Sequence, residues 1–556
     1  MDDERCWYRY HHLFADLLRQ RLHRRYPQLE AELHRRAAAW FAQNELITEA
    51  IQHALAGEDF DRAADLIEQR DEAFWMQGGF VTLQHWLAAL PIPVKRRRPR
   101  LLLTQAWVHF LADSSAATVA TLMQEAEDAL ANADAGAQVT ITELQGILAT
   151  IRAAQQSKQE DIAGIIAYAQ QALAQLPPTM GHWRSVALLC LGFAYEMDGA
   201  VRAAEQTLIE AIQFCQMIGN LYSALVGTMS LARTRMVEGQ LRLAATTYSQ
   251  ALAQAIEHGM EHLPITAQAH INLGRLNYEW NALTLAEQQL QTGLERLHGQ
   301  GGSWLHLEGY ILGARIKQTQ RDRSAAHALL QQAEEVAQTI PFQWATVASA
   351  AALVRERLVL GQEAGADQWL AEAQLRLTDD LNRVRESSHL IAVRVLLAQG
   401  RAAEALPLLN HITQIAEAAE RMKIVVESCI LAALVHHQQA DQKSAQTVLH
   451  KALLVAEPEG YIRSFVDEGE TIRQMIDDLR AQRAPVIDDV RLQAYADRIS
   501  TVFSESYPST TERVVPPPVP TLVNRKSQKP AGRVNLIEPL SDRELLIELA
   551  GQIESI

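Results

Sequence analysis

The sequence predicts an all-α protein, a right-handed superhelical solenoid of helical hairpins with a period of about forty residues. Two observations carry that prediction. In successive units a small or apolar residue is followed by similar ones four and seven positions later. The triads are Ile165/Ala169/Ala172, Ala204/Leu208/Ala211, Ala244/Tyr248/Ala251, Ala286/Leu290/Gly293, Ala326/Leu330/Ala333, Ala366/Leu370/Ala373, Ala405/Leu409/Ile412 and Ala445/Leu449/Ala452, and their starts differ by 39, 40, 42, 40, 40, 39 and 40. Such spacing puts each triad on one helical face, and a constant period of this length marks stacked supersecondary units instead of a single core. Second, glycine and proline are sparse within the repeats while alanine, leucine, glutamine and glutamate abound, a composition that favours helix and leaves almost no strand. A length of 556 residues would otherwise suggest several globular domains, but a solenoid grows by adding neighbours.

Within a unit the first helix carries a small residue twelve positions before the anchor: Gly192, Ala232, Gly274 and Ala433. A small side chain there lets the second helix approach closely, and Gly199, Gly239, Gly361 and Gly400 mark the turn between them. The unit Leu188, Leu191, Gly192, Tyr195, Ala204, Leu208, Ala211 resembles a tetratricopeptide repeat, with a period near forty in place of thirty-four and hence longer helices.

Three short segments resemble one bacterial family with long repeats of this kind, the MalT-like transcription regulators, large ATP-dependent members of the LuxR class. The run Trp7 to Leu18 (WYRYHHLFADLL) is similar to the end of their winged-helix module. Ala456 to Phe465 (AEPEGYIRSF) with Asp467-Glu468-Gly469 is similar to the junction that closes their repeat domain, and Glu538 to Leu545 (EPLSDREL) to the entry of their helix-turn-helix. The resemblance implies a remnant of the winged helix at residues 1–30, a helical connector at 31–98 and the solenoid at 99–506. A linker follows at 507–539, where Pro508, the Pro516-Pro517-Pro518 run, Pro520 and Pro530 stand among polar residues, unsuited to helix or core. Residues 540–556 then hold the truncated start of the helix-turn-helix, with Ser541 and Glu544 as a capping box behind Pro539.

The resemblance also shows what this sequence lacks. It contains no G-x-x-x-x-G-K-[ST] loop to cradle phosphates, so no cofactor is expected, and no residues remain to build a recognition helix for the major groove. We therefore expect the product of a split, truncated or misassembled gene, one that does not read DNA alone. A formal net charge of −15 argues against broad nonspecific attraction to nucleic acid. Cys6, Cys190, Cys215 and Cys429 match no metal or disulfide spacing, and no apolar run is long enough to span a membrane, so a cytoplasmic protein is expected.

Candidate chemistry is sparse. The adjacent pairs His11-His12 and His436-His437 point about 100° apart on a helix and make poor metal sites. The basic run Lys95 to Arg100 reads as a solvated turn, with Pro99 opening a helix. No serine elbow, H-E-x-x-H or cysteine–histidine pairing suggests an enzyme. One pattern stands out: arginine follows the small position of the first helix in five consecutive repeats, at Arg233, Arg275, Arg315, Arg355 and Arg394, separated by 42, 40, 40 and 39. The tetratricopeptide resemblance places this row on the concave groove, where Tyr278 and Glu279 join it as candidate ligand or partner residues. Two alternatives stay open: guanidinium groups presented to a ligand, or clamps that bond a glutamate on the neighbouring hairpin. As part of such a regulator the chain would sense a small-molecule inducer or a regulatory protein in the groove and self-associate; as a stand-alone adaptor it would hold a partner protein or peptide.

Overall fold

The computed structural model describes Arg21 and residues 24–76, 80–112, 115–131, 138–159, 161–298, 303–340, 343–361, 365–373, 383–481 and 490–506. Every secondary-structure element among them is a helix. The chain divides into two compact units: one comprises residues up to Cys190 with Phe214–Ser223, the other Leu191–Gln213 with residues from Ala224 onward. Residues 1–20, the proline-rich stretch 507–539 and the segment 540–556 lie outside the described residues, and with them Cys6 and His11-His12.

In the first unit the helices pair as hairpins, Pro27–Gln43 with Ile47–Ala56, Pro99–Leu111 with Ala116–Ala131, and Gln138–Gln159 with Ile162–Gln175. Trp86, Trp107, Trp183 and Leu101 are fully buried in its core. The basic run is the solvated turn that the sequence suggested only at Arg96 and Arg97, which are exposed. Pro99 does occupy the first turn of its helix, but Arg98 bonds Asp65 at 2.6 Å and Glu68 at 3.0 Å, and Arg100 grips the buried Asp71 at 2.6 and 3.1 Å. Lys95 donates to the Leu87 carbonyl at 2.9 Å. Acidic residues on the helix Phe60–Met76 attract the run, and their distance of about thirty positions in sequence hid the pairing.

The second unit is built from the hairpins Ile265–Glu279/Leu283–Arg296, Trp304–Thr319/Arg323–Ala337, Gln343–Val359/Ala366–Ala373, Arg383–Ala398/Ala402–Ala418 and Met422–Gln438/Gln442–Ala456. The anchor triads fill the seams: in both units every described anchor side chain is buried except Leu370, which is half-buried; that of Ala373 lies outside the described side chains. At Gly192 a Cβ would meet the Leu208 side chain at 2.7 Å, so the close approach requires glycine unless Leu208 moves.

From Gly181–Asp198 onward the first helices end in a residue with left-handed backbone: Gly199, Gly239, Asn281, Arg321, Gly361, Gly400 and Ala440. At most of these turns the next N–H reaches back five residues, as from Asp322 to the Lys317 carbonyl and from Asp441 to the His436 carbonyl, satisfying orphan carbonyls of the helix end. Asp322 and Asp441 then cap the following helix through the backbone N–H of Ala325 and Ser444.

These turns form an edge on which later residues of the same unit close. Arg421 donates to the Gly199 carbonyl at 3.1 Å and pairs with the buried Glu386, while Arg202 holds Glu420. Beyond the last hairpin, residues 457–468 run as a strap across earlier repeats. The Glu459 carboxylate accepts from the Arg242 N–H at 2.9 Å and its carbonyl from the Trp280 indole at 2.9 Å. Ile462 N–H reaches the Glu279 carbonyl at 3.1 Å, and Arg463 reaches Thr319 at 3.0 Å. Helix Val490–Ser506 then packs on the strap, with Tyr495 donating to the Tyr461 carbonyl.

Candidate functional site

The first helices of the second unit and the strap line a partly open cavity of about 330 Å³. One register of each first helix supplies the arginines, because a repeat of constant period returns the same position to the same face. All five, Arg233, Arg275, Arg315, Arg355 and Arg394, line the cavity with Tyr278 and Glu279. The opposite wall comes from the strap through Tyr461, Ser464, Asp467 and Glu468.

Most of the row is already engaged. Arg233 bonds Glu196 through two nitrogens at 2.6 and 2.8 Å, and Arg315 bonds Glu356 at 2.9 and 2.6 Å. Arg355 shares Glu356 at 3.2 Å and faces Asp467 at 3.9 Å, while Arg394 holds Glu468 at 3.0 and 2.7 Å. Burial opposes the charge on Arg233 and Arg355, yet the carboxylates beside them outweigh it and push both above the ordinary arginine range. These four are clamps between neighbouring hairpins or onto the strap. Arg275 meets Glu308 at 3.3 Å with 30% of its side chain exposed.

Tyr278 and Glu279 hold the strap as well as lining the cavity. The Tyr278 hydroxyl donates to Asp467 at 2.9 Å, and burial raises its pKa. The Glu279 carboxylate accepts from the Ser464 N–H at 2.9 Å and the Ser464 hydroxyl at 3.0 Å; burial raises its pKa, against the pull of those bonds.

The sequence reading missed Asn272, Glu308, Lys423 and Glu427, which line the same cavity. A signal existed, since Glu308 and Glu427 both stand six positions before a small residue of a first helix, Ala314 and Ala433. Burial raises the pKa of Glu427, but Lys423, Arg394, Arg355 and Arg315 outweigh it and hold it below the ordinary carboxylate value. Among the described residues no cluster of histidine, cysteine and carboxylates is arranged to hold a metal, and no helix is long and apolar enough to cross a membrane.

Comparison with known proteins agrees with the repeat. The family model described as the MalT-like TPR region, where TPR is the tetratricopeptide repeat, matches residues 146–482. The chain belongs to the MalT-like family. A second model, the MalT winged helix domain, matches residues 1–30. The HTH-type transcriptional regulator MalT of Serratia proteamaculans (strain 568) is 26% identical over 503 residues, covering 89% of this chain and 54% of the relative. That of Yersinia pestis (strain Pestoides F) is 25% identical over 498 residues, with the same shares. This MalT-like chain thus spans about half the length of the curated relatives it matches. Among solved structures, a Rap protein complexed with competence and sporulation factor has a TM-score of 0.49 at 12% identity, covering 66% of this chain and 99% of its own. NprR in complex with its cognate peptide NprX has a TM-score of 0.41 at 12% identity, covering 63% and 92%.

Proposed function

We propose that this chain is the signal-sensing and protein-interaction part of a MalT-like transcriptional regulator, and that its effector is a small molecule held in the cavity of the second unit. The observation that carries the proposal is a partly open cavity of about 330 Å³ with charged and apolar walls, contributed by successive repeats and by the strap. That volume lies within the range of small-molecule sites, roughly 300–1,000 Å³. An occupant that touches both repeats and strap favours the closed arrangement over an open one, and by linkage a change in closure alters what the unit presents to a regulatory protein or to the rest of a longer regulator.

Thermal melting of the full chain against a panel of small metabolites tests this. Ala352 is half-buried and lines the cavity, so Ala352→Trp fills it. A metabolite that raises the Tm of the parent and leaves the tryptophan variant unmoved supports the proposal, because a ligand stabilises only the state it binds. Stabilisers that act equally on both proteins, or a panel with none, count against it.

A further inference from the structure

The cations facing the cavity differ in how fully they are satisfied. Arg233, Arg315, Arg355 and Arg394 each hydrogen-bond a carboxylate. Arg275 and Lys423 have ion pairs only, to Glu308 at 3.3 Å and to Glu427 at 4.0 Å, and 30% and 33% of their side chains remain exposed. Both line the cavity. One turn before Arg275 on the same helix, Asn272 also lines the cavity; it is 2% exposed, and its Nδ2 has no hydrogen-bond partner. These three donor side chains line the same cavity. Burial depresses the Lys423 pKa, with Glu427 opposing that shift and the charge of Arg275 adding to it.

We propose that Asn272, Arg275 and Lys423 form a subsite for the single carboxylate of a small organic acid; this rests on the cavity being the effector site. An ionised carboxylate is acceptor-only, with enough lone pairs to take a guanidinium fork, an amide N–H and an ammonium together. Glu308 and Glu427 stay beside the two cations, so a dianion such as phosphate meets repulsion that a monoanion largely escapes. Leu276, Trp304, Leu307 and Ile311 line the same cavity and suit an apolar body on that acid. The anionic-ligand reading of the arginine row therefore contracts to Arg275 and gains two partners from outside the row.

The test uses the full chain, with phenylacetate, its uncharged isostere phenylacetamide, and inorganic phosphate as probes in isothermal titration and melting. Phenylacetate is expected to bind, the amide and phosphate to bind at least about tenfold more weakly, and Arg275→Gln or Lys423→Met to cost about tenfold or more, the loss of a charge-assisted bond. Arg275 holds no hydrogen-bonded partner, so Arg275→Gln should melt within about a degree of the parent, whereas Lys423→Met removes the first of the cations that hold down the pKa of Glu427 and should lower the Tm. Arg315→Gln should also lower the Tm but still bind phenylacetate. If phenylacetamide binds as tightly as phenylacetate and Ala352→Trp abolishes both, the carboxylate subsite is wrong while the cavity remains a ligand site. Equal binding of phosphate, binding that survives Ala352→Trp, or no binding of phenylacetate also overturns the subsite, and the metabolite screen then judges the cavity separately.

Discussion

Glu238 closes the helix Leu221–Glu238 as a buried carboxylate whose Oε2 has no hydrogen-bond partner. Burial is the main cause that raises its pKa from 4.5 to about 7, with Glu205 and Glu420 adding to the shift against Arg235 and Arg202. A carboxyl whose folded pKa exceeds its unfolded value favours the folded state while protonated, so that stability is present below about 4.5 and is lost as pH rises through about 7. The parent should therefore lose about 3 kcal/mol more stability than Glu238→Gln between pH 4.5 and pH 8. Urea titrations of both proteins at the two pH values check this; equal losses would contradict it. Glu72, raised by burial to about 7 in the first unit, titrates in the same window and cancels because both proteins keep it. At this scale the sequence showed the arginine row but not its partners. A repeating arginine is visible as a period, whereas Glu196, Glu356 and Glu468 meet their arginines across 37, 41 and 74 positions through tertiary contact alone.

Helical hairpins were the most legible part of the chain, because the small-residue triads repeat at a constant interval and their described side chains are buried apart from the half-buried Leu370. The turns were legible only where glycine occupies them. Asn281, Arg321 and Ala440 take the same left-handed backbone as Gly199 and Gly239, and tertiary packing imposes it on residues whose Cβ resists it. Ala440, at φ 60°, has no polar side chain to ease that conformation. Ala440→Gly should thus raise stability by about 0.5–1 kcal/mol, the relief of left-handed strain less the entropy that glycine adds to the unfolded chain. Chemical denaturation measures the difference, and a variant less stable than the parent would show that no strain is stored at this turn.

Over the whole chain the decisive contacts join residues far apart in sequence. The strap motif, from Glu457 to Glu468, was recognisable as a segment but not as a closure, since its partners Arg242, Glu279 and Thr319 lie some 140 to 220 positions earlier. The second unit therefore owes its cavity to closure as well as to stacking: without the strap the arginines would face an open groove. Arg421 is central to this arrangement, because it pairs with Glu386 in a buried contact and donates to the Gly199 carbonyl. Arg421→Met leaves the Glu386 carboxylate buried without its cation, a loss of about 3–5 kcal/mol in comparable sites. Hydrogen exchange of the parent and Arg421→Met, followed by mass spectrometry, tests the closure most directly. The account predicts slow exchange of the strap amides and of the turns at Gly199 and Gly239 in the parent. In the variant these should accelerate together, while the hairpin Trp304–Thr319/Arg323–Ala337 keeps its protection. A strap that exchanges at unprotected rates in the parent, or a change confined to the immediate neighbours of residue 421, would contradict it.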